Sequence, residues 1–502
     1  MKKKHKKHKH STLLLAALFL FLNSCVNGYN DNWEFSSNIN GTELESPNPE
    51  EVKITKTADS KGKEVIKIEW PVVHGAGGYL FTLYNVDDPN TPIPVGEENE
   101  IIDGCSVTRS SEEDTKYQIS IKTLGNEKYN NLDAKTATII NYTTLIPVSG
   151  IIPDGSDLAE YFTNNPIEKS DEEQAYELVP GGNYTLNSSL NLGLHSITLR
   201  GDKIHHPNVV YGKDGRLSTM GGLKLKFINF DCSNINSSSS NGSFLLLDSD
   251  PDESIKGHGD YYIIENDIVL QSCGIKNINR HLLYDNNKKY CPKTFRVQDC
   301  IISLNSTKQI IYFQGGFINN LMLLNNTIYS PEGVSCQYFI QYNNSGRPDR
   351  AGFPNGNINL SNNTLYSVAK TDKMANYSGM RSNLVTLTLV ENLFVDCGNK
   401  EVVRHLAGNN RNMTRNISNN CYWYEGGFKD DEEMGQSHGD NSEANKAPSS
   451  GFYEDPKFIG PINNVNPLRV NFTPTGKEIL KREVGDPHWL PNKAEINNGT
   501  LN

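Results

Sequence analysis

Three short runs carry side chains whose types and spacing suit chemistry. Asp248-Ser-Asp-Pro-Asp-Glu253 sets Asp248, Asp250 and Asp252 at alternate positions, so that three carboxylates could share a hard cation such as calcium. The run lacks a glycine turn and a distal bidentate carboxylate at EF-hand spacing, and a solvated acidic loop is the competing reading. Tyr422-Trp423-Tyr424, followed by Glu425-Gly-Gly427, offers aromatic faces of the kind that stack on the apolar face of a sugar ring. On an extended chain Tyr422 and Tyr424 share one side and Trp423 takes the other, so all three cannot line one groove. A core tryptophan is the alternative there. Gly346-Arg-Pro-Asp-Arg-Ala-Gly352 places Arg347 and Arg350 in one loop, two cations on an acidic chain. No H-E-x-x-H or phosphate-binding loop occurs, so those reaction classes have no support. Paired carboxylates for glycoside hydrolysis cannot be singled out, because their separation is invisible in a sequence.

The composition describes the scaffold. A chain of 502 residues has room for two or three domains. An apolar fraction of 36% with abundant Asn, Ser and Gly suits a turn-rich β protein better than a helical one. The formal charge is −11; without the six lysines of the first ten residues, 42 basic face 59 acidic side chains, or −17. Such a surface argues against nucleic acid, whose affinity comes from neutralised phosphates. An acidic glycan would need a cation or a local basic patch.

Met1 to His10 is cationic, Leu13 to Leu22 is apolar, and Leu22-Asn-Ser-Cys25 follows. That order reads as a secretory signal over residues 1–24, too short to span a bilayer of about 30 Å. The tetrapeptide resembles the bacterial lipoprotein box, which implies cleavage before Cys25, acylation of its thiol and a membrane anchor. Residues 25–49 are polar and aperiodic and read as a tether. Eight cysteines remain, none at metal-site spacing; most fall in strand-like runs and read as buried free thiols.

Residues 50–147 alternate in the manner of strands. Ile66, Ile68 and Trp70 share a face, then Tyr79, Phe81 and Leu83, then Ile119 and Ile121. The run Ile68 to Tyr79, with a tyrosine at 117, resembles a fibronectin type III module, which implies a spacer or a small binding platform.

Residues 148–495 change character. Asp157 is an N-cap for a short amphipathic helix, and Tyr176-Glu-Leu-Val-Pro-Gly-Gly-Asn-Tyr-Thr-Leu186 with Ser196-Ile-Thr-Leu-Arg-Gly201 resembles the opening of parallel β-helix proteins. Leu323-Leu-Asn-Asn-Thr-Ile-Tyr-Ser330 and Leu360-Ser-Asn-Asn-Thr-Leu-Tyr-Ser367 nearly repeat, and weaker copies put a marker residue at 227, 266, 299, 325, 362, 391 and 419. Irregular spacing with a constant strand suits β-helix coils with variable loops, wound right-handed. Asn266, Asn325, Asn362 and Asn419 are expected to form a hydrogen-bonded ladder. Inserts are expected at 203–222, 248–260, 338–355 and 429–450, and function is to be sought in them, above all in 338–355. The fold class is therefore all-β, a fibronectin III-like sandwich followed by a right-handed parallel β-helix with a helical N-terminal cap and a C-terminal cap.

The lipoprotein box, the fibronectin-like module, the β-helix opening and the terminal Val484-Gly-Asp-Pro-His-Trp489 together resemble the pectate-lyase-like β-helix lipoproteins of Gram-negative polysaccharide-utilisation systems. His488 departs from the arginine expected there. The resemblance implies outer-membrane anchoring at the cell surface, a polysaccharide as partner, and further glycan-utilisation proteins as neighbours. A pectin-like uronate glycan is favoured. Among lyases of this fold an arginine abstracts the proton α to a uronate carboxyl, which would make Arg350 the base and Arg347 the carboxylate clamp. The paired-aspartate calcium site of that family is not evident in the preceding coil, Leu321-Met-Leu-Leu-Asn-Asn326. Binding is thus preferred, with β-elimination as the alternative and calcium as the one cofactor to test.

Overall fold

The computed structural model describes residues 41–59, 64–238, 242–344, 346–408, 413–430, 433–434 and 451–491. Cys25 and the signal sequence lie outside these residues. The chain divides into two compact units, one ending at Leu145 and one beginning at Ile146.

The first unit is an antiparallel β-sandwich. One sheet joins Lys53–Ala58, Glu64–Glu69 and Ser106–Ser110; the other is built on Gly78–Asn85 and Lys116–Leu124. The alternating residues of these strands, Ile66, Ile68, Tyr79, Phe81, Leu83, Ile119 and Ile121, are all buried. Trp70 lies flat on Phe81, with ring centroids 5.9 Å apart, and Tyr117 accepts the Glu112 amide at 2.8 Å. Part of the expected tether belongs to this unit. Leu44 is buried, its amide donates to the Leu132 carbonyl at 3.0 Å, and the Ser46 hydroxyl donates to Thr136 at 2.7 Å. An apolar side chain and a backbone with partners on hand hold residues 41–49 in place.

The second unit is a parallel β-helix. Among the described residues its coils build three all-parallel sheets of ten, nine and seven strands. Sheet I runs from Val148–Ile152 to Thr414–Ser418, sheet II from Asn183–Leu186 to Cys421–Trp423, and sheet III from Ser189–Asn191 to Lys373–Asn376. Inward side chains stack coil on coil: Leu323, Leu360 and Leu389 in sheet I, Ile302, Ile328, Leu365 and Phe394 in sheet II, Leu283, Ile311 and Ile340 in sheet III. Helix Leu158–Asn164 buries Leu158, Ala159 and Phe162 at the N-terminal end, and Asp157 caps it by accepting the Ala159 and Glu160 amides. Residues 203–222 are not an insert. They carry strands Asn208–Tyr211 and Arg216–Thr219, a coil of four-residue strands joined by a tight turn.

The asparagine ladder exists, one residue later than expected. Asn325, Asn362 and Asn419 sit at the corner between sheets I and II in left-handed conformation, with φ of 56°, 55° and 53°. Phe227, Ser272, Asp299 and Glu391 take the same conformation at that corner in other coils. Asn266 lies before the sheet I strand Ile268–Gln271, so Ser272 is its coil's true counterpart. The buried ladder is Asn326, Asn363, Asn392 and Asn420, each side-chain carbonyl accepting from the residue one coil before it at 2.9–3.1 Å. Cys300 and Cys273 extend the same row, the Cys300 amide donating to Asn326 at 2.9 Å. The eight described cysteines are all free, and seven are buried.

Residues 452–490 return along the outside of sheet II. The outer face there is apolar, with Ile301, Tyr329, Leu393 and Val395, and is covered by Phe472, Val470, Ile479 and Val484. Buried Asp486 accepts the Thr327 hydroxyl at 2.6 Å, and the Trp489 indole donates to the same oxygen at 2.7 Å. The Val-Gly-Asp-Pro-His-Trp signature is therefore a structural clasp.

Candidate functional site

The outer face of sheet III is exposed in part, at Tyr312, Tyr338, Lys373 and Asn376, and buried at Leu246, Tyr284 and Gln341. The sheet's later strands bury two residues in a row between more exposed ones, as at Ile310 and Ile311 or Met374 and Ala375, and register aligns the outer side chains: Leu246, Tyr284, Tyr312, Gln341 and Asn376 form one column, and Gln309, Tyr338 and Lys373 a second. Successive members lie about 4.8 Å apart, the spacing of paired strands. The Tyr284 and Tyr312 rings stack with centroids 5.5 Å apart and planes 15° from parallel, and His281 packs against both at 5.1 and 5.2 Å. His281 and Tyr284 are buried, Tyr312 and Tyr338 are half-buried, and Asn343, Asn376 and Lys373 are exposed. Polar ends are already oriented: Tyr284 donates to Gln314 at 2.7 Å, Asn343 to the Tyr312 oxygen at 3.0 Å, and Gln341 to Asn343 at 2.6 Å. Half-buried phenol rings beside side-chain amides present both partners a sugar requires, an apolar face and paired donors and acceptors.

Two buried groups set this face. Asp285, wholly buried, accepts the amides of Gln314, Gly315 and Gly316 at 2.8–3.0 Å and so holds the turn of the next coil that carries Gln314. A Cβ at Gly316 would lie 1.7 Å from the Tyr290 carbonyl oxygen, so only glycine fits that turn. The His281 Nδ1–H donates to the Gln309 carbonyl, and its Nε2 accepts from Arg280 at 3.3 Å, the pattern of a neutral ring. Burial pushes His281 down to about 4, and burial likewise lowers His405 to about 3. A folded-state value below the ordinary one of about 6.5 leaves stability intact above that pH and erodes it as pH falls toward 4. Thermal melts are therefore expected to drop across pH 6.5 to 4, with His281 contributing about 3 kcal/mol at pH 4. His281→Gln should flatten that slope; an unchanged slope would contradict the assignment.

The residues singled out in the sequence do not converge. Tyr422 points into the core and stacks on Phe394 at 5.4 Å; Tyr424 is buried and donates to the Cys397 carbonyl at 2.7 Å. Trp423 faces outward on sheet II and packs among Val395, Cys421 and Phe452 under the C-terminal segment. The aromatic triplet is core and clasp, not a sugar platform. Asp248 is buried and accepts the Asp250 amide at 2.7 Å, while Asp252 caps the turn Glu253–Ile255. With Asp250 exposed and these carboxylates engaged in local backbone geometry, they form no calcium site, and among the described residues no three His, Cys, Asp or Glu converge on one.

Arg347 is held by Asp349 through two hydrogen bonds, at 2.6 and 2.7 Å, so its fork is already occupied. Arg350 is exposed, and its carbonyl meets His258 Nδ1 at 3.1 Å. Of the expected insert 338–355, Tyr338–Tyr342 is a sheet III strand that contributes Tyr338 and Gln341 to the outer face.

Residues 1–181 match the family model DUF4992, a domain of unknown function, and residues 182–331 match DUF4957, also described as a domain of unknown function. The border between the two falls inside the β-helix, in the turn before strand Asn183–Leu186, and not at the junction of the two units. No curated protein matches the chain. A solved structure with some likeness is the pectate lyase PelI from Erwinia chrysanthemi in complex with tetragalacturonic acid. It is 9% identical, the match covers 68% of this chain and 85% of that one, and the TM-score is 0.18. A likeness of that size carries no argument, and the β-helix rests on the strand pairing itself.

Proposed function

We propose that this chain is a cell-surface lipoprotein that binds a complex polysaccharide, a pectin-like uronate glycan being favoured, along the outer face of sheet III. One observation carries the reading. The outer face of sheet II is sealed by the C-terminal segment, whereas sheet III presents two aligned columns of phenols and amides with partly exposed rings. Such a surface suits binding. The N-terminal sandwich, fibronectin-like in its buried tryptophan and tyrosine corner, then serves as a spacer between an outer-membrane anchor and the β-helix, among other proteins of a glycan-utilisation system.

Affinity electrophoresis against pectic and other polysaccharides, with and without calcium, tests this directly. At least one uronate-containing polysaccharide is expected to retard the mature protein equally in both conditions. Tyr338→Ala should weaken that binding about tenfold, ~1.4 kcal/mol. Retardation by none of the panel would overturn the reading. The anchor has its own test. Cys25→Ala is expected to abolish labelling by radioactive palmitate and to move the protein from the membrane to the soluble fraction; labelling that persists would remove Cys25 as the lipidated residue.

A further inference from the structure

The sheet III columns end in a cavity of about 370 Å³, of the size that holds a small ligand. Lys373 and Asn376, the last members of the two columns, form part of its wall, so face and cavity are continuous. Three cations enter it from three elements: Lys373 from the last sheet III strand, Arg381 from the turn after it, and Arg404 from helix Val402–Ala407 one coil on. They face one carboxylate, Glu401, which already pairs with Arg404 and, at 3.0 Å, with His405 Nε2. His405 adds no charge, since the Met374 amide points at its Nδ1 and burial keeps it neutral. The cavity is thus cationic on a chain whose formal charge is −11. Among the described residues no carboxylate lies within ion-pairing distance of Lys373.

Arg381 is pre-positioned. Its guanidinium donates to the Ala375 carbonyl at 3.2 Å and to that of His405, lies 5.3 Å from the centre of the Tyr377 ring, and leaves a buried Nε without an acceptor. Gly408 makes room for it: φ is 68°, and a Cβ there would sit 2.3 Å from Arg381 Cδ. The cavity is also terminal. Among the described residues sheet III ends at Lys373–Asn376, and in the next coil helix Val402–Ala407 packs on that strand. A glycan lying along the columns meets this helix and can go no further.

Resting on the binding role proposed above, we infer that this cavity takes the anionic end of the glycan, a terminal sugar bearing a carboxylate or sulfate, with Lys373, Arg381 and Arg404 around the acidic group. Charge-assisted bonds from guanidinium and ammonium groups in a partly enclosed site suit such a ligand.

Calorimetric titration of the full mature chain decides it. The probes are oligogalacturonides of defined length and their carboxyl-reduced counterparts, with a sulfated oligosaccharide and its desulfated form as the arm that separates sulfate from carboxylate. The charged member of one pair is expected to bind at least tenfold more tightly than its neutral partner. Arg404→Ala, outside the two columns, should erase most of that gap while leaving the neutral form's affinity in place, and Lys373→Glu, at the end of a column, should lower the charged form's affinity more than the neutral form's. At fixed mass of polymer, binding equivalents should rise with the number of chain ends. Equal affinity of charged and neutral forms, or equivalents that follow mass and not ends, would overturn the inference while leaving the glycan reading intact. Binding by none of the four probes would overturn both.

Discussion

Asn363→Ala is expected to destabilise the β-helix by about 3–5 kcal/mol, because each buried polar group left without a partner costs about 1–3 kcal/mol. Asn363 is wholly buried. Its Oδ1 accepts the Asn326 backbone amide at 3.0 Å, and its Nδ2 donates to the Leu323 carbonyl at 2.8 Å and to Asn392 at 2.9 Å. Alanine removes all of these at once, in a row where water cannot substitute, and cuts the ladder between neighbouring coils that depend on one another. The preceding residue gives the control. Asn362 holds φ at 55°, so Asn362→Ala should cost only about 1–2 kcal/mol, and Asn362→Gly close to nothing. Urea denaturation of the three variants checks the order; equal midpoints for Asn363→Ala and Asn362→Gly would refute the ladder.

The second large effect lies under the binding face. Asp285→Ala strands three backbone amides of the next coil, those of Gln314, Gly315 and Gly316, and should cost about 3–5 kcal/mol. It should also weaken glycan binding at least tenfold, because Gln314 fixes the Tyr284 hydroxyl and loses its own anchor. Asp285→Asn keeps one accepting oxygen and should fall between the two. Denaturation midpoints and affinity electrophoresis on the same preparations separate the effects. Binding that survives while stability falls would show that the Gln314 turn does not shape the site.

The coil architecture was legible because two copies of Leu-x-Asn-Asn-Thr stand out, and because a strand-length apolar repeat with variable loops has few other solutions. Which asparagine of each pair faces inward was not legible. The left-handed residue at the corner breaks the strand alternation, so counting by twos fails across it. Asn266 does not mark its coil's corner, because that corner, Ser272-Cys273, contains no asparagine. Tyr422, Trp423 and Tyr424 looked like a sugar platform since nothing local reveals that residues 452–490 return to cover that sheet. The acidic run at 248–253 had the composition of a metal loop but lies in capping and turn geometry. The sheet III face is not legible in the sequence for a different reason. Tyr284 and Tyr312 become neighbours only through the register, and Tyr338 stands opposite Gln309 in the second column.

The most direct test of the binding account is hydroxyl-radical footprinting of the mature protein with and without a saturating uronate polysaccharide. Protection is expected at Tyr312 and Tyr338 on sheet III, with the aromatic residues of the C-terminal segment on sheet II unchanged. Protection confined to sheet II, or none on sheet III under conditions where the polysaccharide is bound, would contradict it.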